Sequence, residues 1–137
     1  MSWKNTEKND VVDTNLLLDW LLGRDMKRVG LIEKLLRSQK RLVVHDLVIA
    51  EVVFALQKYY GFRRSVIVQS LTRILDESRW QLNRTVLLGT VLVYRDHPSL
   101  SFVDCYLSQA AEAWNTTLWT FDKKLATQSG GRARVLK

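Results

Sequence analysis

The chain has 137 residues, 47% of them hydrophobic, with a formal net charge of +7 and a sequence pI of about 9.8. This is the size of one ordinary domain with material for a core, and its basic balance favours a polyanionic partner, nucleic acid ahead of a membrane surface. One cysteine, Cys105, excludes an intramolecular disulfide and argues against a cysteine-based zinc site, and no apolar run approaches the roughly 20 residues of a membrane span.

Met1 to Asp10 is polar and has no apolar stretch of the signal-peptide kind, so the expectation is a soluble, cytoplasmic protein. Val11 and Val12 lead into Asp13-Thr14-Asn15 and read as a short strand ending in a polar turn. Leu16 to Leu22, closed by Gly23, reads as a helix, and a second keeps helical spacing through Leu31, Ile32, Leu35 and Leu36. Leu42-Val43-Val44 is a second strand. Asp46 then stands where a helix cap belongs, before a helix over Leu47 to Tyr60 that Gly61 stops. Ile67, Leu71, Ile74 and Leu75 mark an amphipathic helix, and Trp80-Gln81-Leu82 a third strand.

Val86 to Tyr94 satisfies both patterns, strand by its β-branched residues and helix by Leu87, Leu88, Val91 and Leu92. Ser101 to Asn115 predicts a helix with Val103, Leu107, Ala110, Ala111 and Trp114 on one face. Leu118 to Phe121 is a strand ended by Asp122, and Ala133 to Leu136 a last edge strand after the Gly130-Gly131 turn. No repeat or linker divides residues 1–137, so one domain is expected. Strands alternating with helices imply an α/β fold with a mainly parallel sheet covered on both faces, and ligands in such folds sit beyond the carboxyl ends of the strands.

The informative residues are acids set in apolar stretches. Asp13 and Asp122 each end a strand; Glu51 has Leu47, Val48, Phe54 and Ala55 at helical offsets, and Asp104 has Leu100, Leu107 and Ser108. A carboxylate beside a core costs several kcal/mol without compensation. Singly, each has an ordinary reading as a cap or a paired surface acid. Together they would repel, so the group calls for a cation. Oxygen-only ligands suit Mg²⁺ or Mn²⁺, and carboxylates holding such ions form a standard site for phosphodiester hydrolysis. Thr14, Asn15, Ser101 and Thr120 lie beside the acids and would orient carboxylates or water; capping explains Thr14, Asn15 and Ser101 equally well.

Four segments, Val11-Val12-Asp13-Thr14-Asn15, Ile49-Ala50-Glu51-Val52, Phe102-Val103-Asp104-Cys105 and Trp119 to Leu125 with its Thr-Phe-Asp-Lys-Lys-Leu core, resemble the PIN-domain family in order and spacing over nearly the whole chain. The closest flavour is the VapC-type ribonuclease toxins. The resemblance implies a three-layer α/β/α sandwich around a mainly parallel sheet of four or five strands. It implies a Mg²⁺- or Mn²⁺-dependent endonuclease acting mainly on RNA, with Asp13, Glu51, Asp104 and Asp122 as metal-binding catalytic acids. It also raises an antitoxin protein and a homodimer as partners. Ser101 departs from the pattern, since many relatives carry an acid three residues before the third family acid.

Lys123, Arg63 and Arg64 are candidate phosphate contacts, and a solvated surface accounts for most of the 21 basic residues. Trp20, Trp114 and Trp119 are expected in the core, as is Cys105, whereas Trp3 and Trp80 are open. Two other enzyme classes fit poorly. A phosphatase using Asp13 as nucleophile would carry a second Asp where Asn15 stands, and no G-x-G-x-x-G follows the first strand for a dinucleotide enzyme. A PIN fold without catalysis, serving as a binding or scaffolding module, is the main alternative.

Overall fold

The computed structural model describes residues 9–137, so Trp3 lies outside the described residues. Each strand but the last leads into a helix. β1 (Asn9–Val11) leads to α1 (Thr14–Leu22), which Asp13 caps by accepting from the Leu16 N–H at 2.9 Å and which ends on Gly23 at φ 62°. That left-handed turn is the conformation glycine tolerates best. α2 (Met26–Arg37) is capped by Asp25, and β2 (Arg41–Val43) then leads into α3 (Asp46–Lys58). α4 (Arg64–Asp76) buries Ile67, Leu71 and Ile74, and β3 (Trp80–Gln81) follows.

The ambiguous segment is helical. α5 (Arg84–Asp96) buries Val86, Leu87, Val91 and Tyr94 at three- and four-residue spacing, so tertiary packing overrides the strand preference of its β-branched residues. α6 (Phe102–Ala113), capped by Ser101, buries Phe102, Cys105, Ser108, Ala110 and Ala111. The expected apolar face was misplaced: Val103, Leu107 and Trp114 are exposed, Trp114 at 71%. β4 (Leu118–Thr120), α7 (Lys123–Gln128) and β5 (Ala133–Val135) close the chain. α7 was not anticipated, and Asp122 creates it by accepting from the Lys124 and Leu125 N–H groups.

Every strand pairing is parallel, as the alternation requires, but the strands do not form one sheet of four or five. Among the described residues there is a three-stranded sheet in the order β1-β2-β3 and a separate pair β4-β5. Strands of two or three residues offer few ladder hydrogen bonds. Helix packing therefore sets where each group lies, and the most extensive helix contact is between α5 and α6. The core fills the space between the three-stranded sheet and its helices. Trp80, fully buried, meets Trp20 edge-on with centroids 5.5 Å apart, and Leu42, Val44, Leu56, Ile74 and Tyr94 pack around them. Trp20 and Cys105 are buried as expected. Trp119, at 61% exposed, is not, because the side of β4 that carries it is uncovered. No helix among the described residues is long and apolar enough to cross a membrane.

Candidate active site

The parallel register carries three chain segments to one edge. Val12 donates to the Val43 carbonyl and Val44 to the Gln81 carbonyl, so pairing continues past the strands toward Asp13, His45 and Asn83. Asp13 spends one carboxylate oxygen on capping α1; its other oxygen bonds to no described residue. Glu51, on α3, lines a groove of about 560 Å³ together with Thr14 and Asn15, the two residues that follow Asp13. Glu51 therefore borders a concavity that begins next to Asp13 in the chain.

Asp122 repeats the device of Asp13 in the other strand group. Its Oδ1 accepts from Lys124 N at 2.9 Å and Leu125 N at 3.3 Å, while its own N–H donates to Thr120 Oγ1 at 2.9 Å. Asp104 occupies the first turn of α6, where its N–H donates to Ser101 Oγ at 3.1 Å. The loop before α6 and the helix after Asp122 are tied by Ser99 Oγ donating to Gln128 at 2.8 Å and by Lys124 Nζ reaching the Ser99 carbonyl at 3.5 Å. Thr120 and Ser101 thus organise the backbone at Asp122 and Asp104, while Thr14 begins α1 and Asn15 is exposed.

The burial argument for these acids does not survive. Asp13, Glu51 and Asp122 are exposed and Asp104 is half-buried. Glu51 sits among apolar residues in sequence, but Leu47 and Phe54 beside it are exposed themselves, because the buried face of α3 is Ile49, Val52, Val53 and Leu56. Solvent therefore hydrates and screens the charge of these carboxylates. Their donor chemistry, all oxygen, fits a hard divalent cation. Their spacing does not close a ligand shell: among the described residues no three His, Cys, Asp or Glu side chains stand close enough to hold an ion.

A different acid of this edge, half-buried, has one carboxylate oxygen fully buried. Asp46 does not cap α3; His45 holds the cap position and Asp46 is the first helical residue. Its carboxylate is taken elsewhere, accepting a hydrogen bond from the Tyr106 hydroxyl and one from Asn83 Nδ2 at 3.3 Å, while Oδ1 is buried without a partner among the described residues. Burial, and then the bond to Asp46, push the Tyr106 hydroxyl up to about 12. The contact joins α3, which carries Glu51, to α6, which carries Asp104. Nothing in the sequence pointed to it, because the partners are sixty residues apart and Asp46 fits a capping pattern. Burial also pushes the Cys105 thiol up to about 11, making it a poor nucleophile.

Among the basic candidates, Arg64 is committed to structure. Its guanidinium donates to the carbonyls of Tyr94, His97, Pro98 and Leu100 and stacks 3.7 Å from the centre of the Tyr94 ring. That corrects its assignment as a phosphate contact: its donors pin the end of α5 to α4. Arg63 and Lys123 are exposed, and Lys123 directly follows Asp122 at the start of α7.

Short parallel strands that lead into helices, with Asp13 and Asp122 at the ends of two of them, define an α/β protein. The PIN domain model matches residues 11–130, and the chain belongs to the PIN domain family. PIN domains are commonly metal-dependent nucleases, generally use divalent cations and act on nucleic acid. No curated protein matches the chain.

Proposed function

We propose that this PIN domain is a Mg²⁺- or Mn²⁺-dependent endoribonuclease whose site is formed by Asp13, Glu51, Asp104 and Asp122. The observation that carries the reading is the duplicated strand-end device. Asp13 and Asp122 are each fixed through one oxygen by the amide groups of the following helix, which leaves the second oxygen without a described partner. A carboxylate so held is oriented in advance, and one free oxygen is what a cation or a water requires. A cation bound there supplies neutralisation of the charge that develops on the phosphodiester. Glu51 would ligate or orient water, Asp104 would complete the core ligands, and Lys123 would hold a phosphate beside Asp122. Within the family we place the chain with the VapC-type toxins, on the resemblance of its Thr-Phe-Asp-Lys-Lys-Leu stretch. An antitoxin protein and a second copy of the chain are then the expected partners, and growth arrest on expression is the test of that placement.

The deciding experiment is cleavage of end-labelled single-stranded RNA with Mn²⁺, with EDTA, and by Asp13→Asn. Asparagine caps helices as well as aspartate does, so the variant isolates the charge. Wild type should cleave only with metal. The variant should lose at least about a hundredfold in rate, the consequence of a few kcal/mol of lost charge stabilisation, with an unchanged melting temperature. A folded Asp13→Asn protein that cleaves at the wild-type rate would overturn the assignment. One observation favours the second reading, a binding or scaffolding module without catalysis: the acids do not stand in a closed shell. Calorimetry with millimolar Mn²⁺ decides between the two, since heat of binding that Asp13→Asn abolishes supports the enzyme.

A further inference from the structure

The groove that Glu51 shares with Thr14 and Asn15 continues along α3 as an aromatic surface. Residues three, four and seven positions after Glu51 lie on its face of the helix; they are Phe54, Ala55 and Lys58. Ala55 is buried at the groove wall, while Phe54 is 53% exposed and Tyr59, just beyond, is 79% exposed. The Phe54 and Tyr59 rings meet edge to face with centroids 6.3 Å apart, which leaves broad ring surface open to solvent. Tyr60 also lines the groove, and the Arg24 guanidinium lies 4.8 Å from its ring centre. A cation is thereby fixed at the rim. Lys58 is exposed between Glu51 and Tyr59.

Exposed aromatic rings grouped this way lose the burial energy that would keep them in a core, and such patches mark a binding surface. We propose that this groove is a base-stacking track for an unpaired RNA strand, with bases on Tyr59 and Phe54 and phosphates on Arg24 and Lys58. The proposal rests on the ribonuclease reading and adds the side chains that hold the strand. The groove is continuous with the site, since eight helical residues place Tyr59 about 12 Å along the axis from Glu51. Its rim is cationic in a chain of net charge +7, as a polyanion requires. Three aromatic rings, Phe54, Tyr59 and Tyr60, are in its lining and accept any base face, whereas a duplex hides those faces in its own stack.

The test is fluorescence anisotropy of a labelled oligoadenylate strand and of a labelled RNA duplex, in EDTA, with full-length protein carrying Asp13→Asn so that nothing is cut. Tyr59→Ala and Phe54→Ala should each weaken single-strand binding roughly tenfold, the usual consequence of removing one stacking ring. Tyr59→Phe should stay within about twofold of the parent, and duplex binding should not move. Circular dichroism verifies the fold of each variant. Unchanged single-strand affinity in both alanine variants, or equal losses for strand and duplex, would overturn the track. A dimer that becomes monomeric in light scattering, with affinity per chain unchanged, would assign the face to a second copy instead. The two proposals fail separately. Cleavage by wild type with no effect of Tyr59→Ala removes only the track, and stacking-dependent binding without metal-dependent cleavage removes only the nuclease.

Discussion

The part of the molecule built on β1, β2 and β3 and the part built on β4 and β5 use the same local device and very different amounts of core. In both, a short parallel strand runs into an acid that caps the next helix, Asp13 before α1 and Asp122 before α7. Behind the first stand Trp80, Trp20, Leu42, Val44 and Leu56, all buried. Behind the second, Leu125 and Ala133 are the buried apolar residues, while Trp119 and Phe121 face solvent. Local sequence can therefore orient a strand-end acid without much core beneath it. What it cannot do alone is fix the distance between two such acids, which belongs to the helices joining the parts, α5 and α6 above all.

The sharpest way to break that asymmetry is to cut the core on its strong side. Trp80→Ala should cost about 3–5 kcal/mol, the range for truncating a large buried aromatic, measured by urea unfolding. Trp80→Phe should cost far less, because the indole N–H it removes is buried without a partner among the described residues. On the weak side, amides of β4 and β5 should exchange with deuterium through local openings well below the global unfolding energy, and amides of β1 and β2 only near it. Equal protection in the two groups would show that the β4–β5 part is as firmly held as the larger sheet.

The same contrast explains what the sequence disclosed. Elements with a single periodic stripe, such as α4, or with end signals, such as α1 between Asp13 and Gly23, were legible because the cause is local. α5 was ambiguous because its β-branched residues fit two periods, and burial against neighbouring elements decided between them. α7 was missed since six residues hold too little periodicity, although Asp122 was already noted at its start. The four candidate acids stood out by their apolar neighbours and by their order along the chain. Their exposure was misjudged, because apolar neighbours at helical offsets can themselves face water, as Leu47 and Phe54 do. The division into two strand groups, the Asp46–Tyr106 hydrogen bond and the commitment of Arg64 to carbonyls are long-range outcomes with no local signature.

A smaller effect is expected at the Asp46–Tyr106 contact, which links the helix of Glu51 to the helix of Asp104. Tyr106→Phe leaves the Asp46 carboxylate with Asn83 as its one hydrogen-bond partner among the described residues and should cost about 1–3 kcal/mol. Cleavage should also fall, by about tenfold if the contact orients the acids. The pH dependence follows from the raised hydroxyl. The folded state keeps Tyr106 protonated up to about 12, while the unfolded chain releases the proton near 10. Its contribution to stability is thus complete below pH 10 and is lost as pH rises toward 12. Cys105, raised from 9 to about 11, acts in the same direction over a lower window. The difference between wild type and Tyr106→Phe isolates the tyrosine, and parallel alkaline unfolding curves for the two proteins would count against the contact.

The mildest change tests the joint between the two parts. Gly89 lies on α5 against α6, and a Cβ built there would stand 2.3 Å from Gln109 Oε1. That atom ends a flexible side chain with no hydrogen bond to a described residue, so it can swing aside at little cost. Gly89→Ala should therefore be close to neutral or stabilising, by at most about 1 kcal/mol from the helix propensity alanine gains over glycine. Gly89→Leu cannot be accommodated by moving Gln109 alone and should cost about 1–3 kcal/mol by pushing α6 away from α5. If the acids depend on the seating of α6, the leucine variant should lose metal-dependent cleavage while the alanine variant retains it, both assayed below their melting temperatures. Full activity in a folded Gly89→Leu protein would mean that Asp104 and Asp122 hold their places without the α5–α6 joint.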